Sequence, residues 1–115
     1  PSKSYADLVA TYRGVLAGGA TAGRFAPSEA PPVADPCAWQ AELLAEWRGA
    51  VEELEAAVAK WDDGALDRYR LPHPLLGKLT VREMLLFTLY HHEHHAANVE
   101  RRLRESASGA ASGRP

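Results

Sequence analysis

Cysteine is almost absent from this sequence. Cys37 stands alone among 115 residues, which excludes an intrachain disulfide. The simplest setting is a reducing one, the cytoplasm. Cys37 itself reads as a small, semi-buried hydrophobe rather than a nucleophile. Basic excess is also missing: the formal net charge is -2 with histidines neutral. That argues against a nucleic-acid partner. No apolar run approaches the ~20 residues that a membrane-crossing helix needs. The start, Pro1-Ser2-Lys3-Ser4, lacks the basic and apolar stretches of a signal peptide. No internal repeat is visible. What remains is ordinary globular material, 46% hydrophobic and 24% charged, in a chain of single-domain length.

Three helices carry most of the periodicity. The first is expected from Tyr5 to Leu16, where Tyr5, Leu8, Val9, Tyr12, Val15 and Leu16 recur at helical spacing. Ser4 with Asp7 forms a capping arrangement at its start, and Gly18-Gly19 stops it. Glycines and prolines then keep residues 18–35 out of helix, with Phe25 and Val33 expected to tack the loop to the core. Asp35-Pro36 is a strong helix start, with an aspartate cap before a proline at the first helical position. That second helix is expected to reach Trp61. Trp39, Leu43, Trp47, Val51, Leu54, Val58 and Trp61 mark one stripe along it, which reads as core or interface. Asp62-Asp63-Gly64 ends it, and a short turn through Leu66 follows.

Residues 70–79 read as an extended connector, since Pro72 and Pro74 hold His73 out of helix. Thr80 and Glu83 form a capping box that opens the third helix, Val81 to about Glu105. The serine-, glycine- and alanine-rich stretch from Ser106 to Pro115 reads as a disordered tail, leaving 1–105 as one domain.

Chemistry concentrates in His91-His92-Glu93-His94-His95. At ~100° per residue, His91 and His95 lie about 40° apart on one helix face, one turn apart along the axis. Imidazoles at that spacing converge on one cation, and neutral imidazole suits Zn, Ni, Cu and Fe ions. His92 and His95 are a second possible pair. On the helical wheel the apolar stripe is Leu85, Leu89, Ala96, Val99 and Leu103. His92 falls in its middle, His91 and His95 on its flank near Thr88, while Glu93 and His94 point to solvent. The zinc-protease pattern His-Glu-x-x-His is absent, because its second histidine position holds Ala96. The plain alternative is four polar side chains on a solvated helix, with one at an interface.

The run His73-Pro74-Leu75-Leu76-Gly77-Lys78-Leu79-Thr80, followed by Glu83, Leu85-Leu86-Phe87, Tyr90-His91 and His95, closely resembles the DinB-like superfamily. Leu16-Ala17-Gly18-Gly19 and the prolines after it look like that family's middle section. The resemblance covers roughly Tyr5 to Leu103 and is specific in the last third. It implies an all-α, up-down four-helix bundle with a divalent metal on three histidines, two of which carry over to His91 and His95. It implies activity as a metal-dependent hydrolase or a thiol-dependent transferase or isomerase, and homodimers are common in the family.

The family's third histidine lies on its first helix. No histidine precedes His73 here, and three main helices are one short of a bundle. The expectation is a chain lacking that helix, or a partner that supplies the missing wall. His73 is the substitute ligand to test, although His91 sits about ten residues, or roughly 15 Å, into its helix. Otherwise His73 holds the connector through a backbone hydrogen bond.

Two functions follow. One is an open metal site, Zn or Ni, with His92 or Glu93 as a proton shuttle for an unnamed small-molecule substrate. The other is a non-catalytic helical interaction module built on the tryptophan stripe. Arg101, Arg102 and Arg104 are explained as cations at the negative end of a helix.

Overall fold

The computed structural model describes residues 1–21, 23–29 and 32–112. The chain is all-α apart from one small hairpin: α1 (Tyr5–Ala17), α2 (Pro36–Val58), α3 (Asp63–Arg68), β1 (Arg70–His73), β2 (Gly77–Thr80) and α4 (Val81–Ser112). It divides into two compact units, one of Pro1–Ala20 with the chain from Asp67 onward, the other Thr21–Leu66.

The caps expected from the sequence are in place. Ser4 Oγ accepts the Asp7 N–H at 3.2 Å and donates to Asp7 Oδ2 at 2.7 Å, opening α1. Asp35 Oδ1 accepts the N–H groups of Cys37 and Ala38, both at 3.0 Å, ahead of Pro36 in α2. Thr80 and Glu83 exchange bonds at the head of α4: Thr80 N–H to Glu83 Oε2 at 2.8 Å, Glu83 N–H to Thr80 Oγ1 at 3.1 Å. Each satisfies a donor that the first helical turn leaves without a partner.

In the first unit α1 and the hairpin pack on α4. Leu8, Tyr12, Leu79, Phe87 and Tyr90 form the buried core, flanked by Tyr5, Val9, Leu16, Leu75, Leu76, Met84 and Leu86. Tyr12 stands edge-on to Phe87 at 5.0 Å and to Tyr90 at 5.9 Å between ring centres. Such edge-to-face pairs add to what burial alone contributes. A second, polar cluster locks the head of α4. Thr80 is fully buried and Glu83 nearly so. Ser2 Oγ donates to Asp67 and shares a hydrogen bond with Thr80 Oγ1. Asp67 also takes Arg82 Nε at 2.8 Å.

Four expectations need correction here. Residues 70–80 are not a single extended connector but a two-stranded antiparallel hairpin, with Leu71 opposite Leu79 and His73 opposite Gly77. Gly77, at φ +74°, supplies the left-handed turn that folds the strand back. The apolar stripe of the last helix does not face α1: Leu89, Val99 and Leu103 are exposed, and the packed face is instead Glu83, Phe87 and Tyr90. α4 also runs on through Ser112, where Ala107, Ala110 and Ala111 offset the weak helix preference of the serines and Gly109; residues 113–115, the end of the expected tail, lie outside the described residues. Cys37, Phe25 and Val33 are exposed rather than tucked against a core.

In the second unit α2 stops at Val58, short of Trp61, and Asp62 Oδ1 accepts the Ala65 N–H at 2.8 Å to start α3. α2 is the one long helix of this unit and buries no residue. Trp39, Leu43, Trp47 and Leu54 stay 42–49% exposed, so the stripe is not a core within Thr21–Leu66.

Candidate metal centre

The site starts from helical spacing. His91 and His95 are one turn apart on α4, and their Nε2 atoms meet at 2.8 Å. Two nitrogens about 2.1 Å from one tetrahedral ion lie about 3.4 Å apart, so a small rotation of the exposed His95 ring admits a cation. Without a cation, one Nε2 carries the shared proton. Accepting one moves that proton to Nδ1 and leaves two lone pairs facing the same point.

The two rings differ in surroundings. His91 is half-buried and His95 is exposed. Phe87, one turn before His91, stacks on it at 5.2 Å with planes 27° apart, and Tyr12 meets it edge-on at 6.3 Å. Burial, and then the neighbouring imidazoles of His95, His92 and His94, hold the His91 pKa below its usual value. The shift favours the neutral ring, the form that ligates metals.

The other candidates are placed elsewhere. His73 is not brought to the pair. Its Nδ1 accepts the N–H groups of Leu75 and Leu76, each at 3.1 Å, which is the connector-holding role expected as its alternative. Its ring lies edge-on to Phe87 at 4.3 Å, and burial lowers its pKa. His92 is exposed, not central to a packed face. Glu93 is exposed too, and accepts the Tyr5 hydroxyl at 2.7 Å. That bond raises the Tyr5 pKa, because ionising the phenol would set two negative groups together. His94 is half-buried rather than solvated, with its Nε2 3.2 Å from Asn98 Nδ2. Among the described residues no group of three His, Cys, Asp or Glu side chains is placed to hold a metal ion. The pair fits a cation, and a third protein donor is not among these residues.

Three contacts around the pair were not anticipated: Phe87 on His91, Tyr5 on Glu93, and Arg13 Nε donating to the Tyr90 hydroxyl at 3.1 Å. The signal for the first was present. Glu83, Phe87, Tyr90, His91 and His94 recur at three- and four-residue intervals, as a packed face must. Its mixture of aromatic and polar residues conceals it from a search for aliphatic stripes.

No helix of the described residues is long and apolar enough to cross a membrane. No curated protein and no solved structure matches this sequence. The model of the DinB superfamily matches residues 6–99, most of the chain, and the chain belongs to that superfamily.

Proposed function

We propose that this chain binds a divalent metal ion, Zn or Ni, through His91 and His95, and acts as a metal-dependent hydrolase or thiol-dependent transferase on a small molecule. One observation carries the reading: the two Nε2 atoms meet at 2.8 Å on one face of α4. Bound there, the ion would supply Lewis-acid activation of a water or a thiol. His91 would be the buried, neutral donor and His95 the exposed, adjustable one. A third donor would come from a group that does not stand with the pair among the described residues of this chain, and a second copy of the chain in a homodimer is one source. The exposed His92 would exchange protons with solvent. The single cysteine fits a cytoplasmic setting.

The test is metal content. Protein purified without tag or chelator is analysed by mass spectrometry, beside His91→Ala and His95→Ala. Bound metal in the wild type and its loss in both variants is expected. Equal content in all three ends the reading.

A second reading, a non-catalytic helical interaction module, is favoured by the exposed apolar side chains Trp39, Trp47 and Leu54 of α2. Sedimentation separates the two. A stable dimer without metal supports the module, and a metal-loaded monomer opposes it.

A further inference from the structure

Three aromatic rings line up behind the histidine pair. His73 stands edge-on to Phe87 at 4.3 Å, with planes 73° apart. Phe87 stacks on His91 at 5.2 Å. Phe87 is buried and held on a further side by the edge of Tyr12 at 5.0 Å. A ring held on three sides is restrained, and close-packed interiors transmit displacement rather than absorb it.

We propose that His73 is a positioning residue for the His91–His95 pair: it braces Phe87, and Phe87 fixes the plane of the His91 imidazole and so the direction of its Nε2. The anchor is the hairpin turn. Two backbone N–H groups, from Leu75 and Leu76, fix His73 through Nδ1. Pro72 and Pro74 restrict the backbone on either side. His73 sits opposite Gly77 in the register, at the closed end of the hairpin. The hairpin thereby reaches the pair without contributing a ligand. His95 meets the imidazoles of His91 at 4.4 Å and His94 at 5.7 Å, both on its own helix, so the hairpin acts on the site through His91. The consequence for metal affinity rests on the proposed metal binding; the bracing itself does not.

Two substitutions separate ring from turn. His73→Asn keeps an acceptor for the N–H two residues on, as asparagine does in an Asx turn, but removes the ring. Phe87→Leu keeps apolar bulk but removes the stack. The first readout needs no metal: the ring-proton NMR resonances of His91, which stacking on Phe87 is expected to shift upfield. The second is Zn²⁺ affinity by competition titration, with the melting temperature followed in parallel. The expected result is loss of the upfield shift in Phe87→Leu, a partial loss in His73→Asn, and about tenfold weaker Zn²⁺ binding in both, as for other groups that orient a metal ligand. His91 resonances unchanged in His73→Asn overturn the proposal, whatever the melting temperature does. If the wild type binds no Zn²⁺, the metal reading fails alone, and the ring-proton shifts still decide the bracing.

Discussion

The Glu83 carboxylate accepts the backbone N–H of Lys3 at 2.8 Å, across 80 positions of sequence, while its other oxygen caps Thr80. Lys3 Nζ adds a longer ion pair at 3.8 Å. Glu83→Ala strands two donors in a buried setting and is expected to cost about 2–3 kcal/mol. Glu83→Gln keeps an acceptor and is expected to cost less. Burial pushes the Glu83 pKa up, but the Lys3 and Thr80 N–H groups and the Lys3 charge outweigh it, so the net shift is downward. A carboxylate lowered in the fold contributes its stability above the unfolded value, and loses it as pH falls through the folded one. Urea unfolding at stepwise lower pH should show that acid loss in the wild type and a weaker loss in Glu83→Gln.

Gly77 makes the hairpin turn with φ +74°, and a methyl group there would meet nothing within 4 Å. The penalty for Gly77→Ala is therefore backbone strain alone, about 1 kcal/mol or more. Gly77→Asn should lose less, because asparagine tolerates the left-handed region. Chemical denaturation of the three proteins measures the order.

His73 and His91 are both held below the ordinary histidine value of about 6.5, chiefly by burial. In the unfolded chain they take up protons first, so stability is full above that value and declines as pH falls below it. Thermal unfolding with chelator present should show a lower midpoint at pH 5.5 than at pH 7.5. His91→Gln should flatten that slope. An unchanged slope in the variant would remove His91 from the account.

Tyr12 touches Phe87, Tyr90, His91 and His94 at once. Tyr12→Ala is expected to cost about 3–5 kcal/mol through the cavity it leaves. Tyr12→Phe, which keeps the ring, should retain most of that stability, and thermal unfolding of the two variants checks the order.

Local signals were legible in the residues and non-local ones were not. Ser4 with Asp7, Asp35 with Pro36, and Thr80 with Glu83 each describe a helix start within four residues, and each was readable. The convergence of His91 and His95 is likewise a property of one helical turn. The hairpin depends on Leu71 meeting Leu79, and prolines at 72 and 74 argued for extension without saying what would pair with it. The orientation of α4 is not legible in its sequence, because periodicity marks an apolar stripe but not the neighbour that covers it. Leu89, Val99 and Leu103 form a genuine stripe, yet α1 chose the face of Glu83, Phe87 and Tyr90. The role of His73 was half visible: its hydrogen bond to backbone was expected, its contact with Phe87 was not.

β2 ends at Thr80 and α4 begins at Val81, with no residue between them, and the Val81 N–H is pinned to the Tyr69 carbonyl at 3.0 Å. The rotational phase of the whole helix is therefore clocked at that junction. One residue inserted there would turn every later side chain by about 100°. The His91 imidazole, ten positions downstream, would then swing away from the Tyr12 ring to another quarter of the compass, with its own sequence untouched.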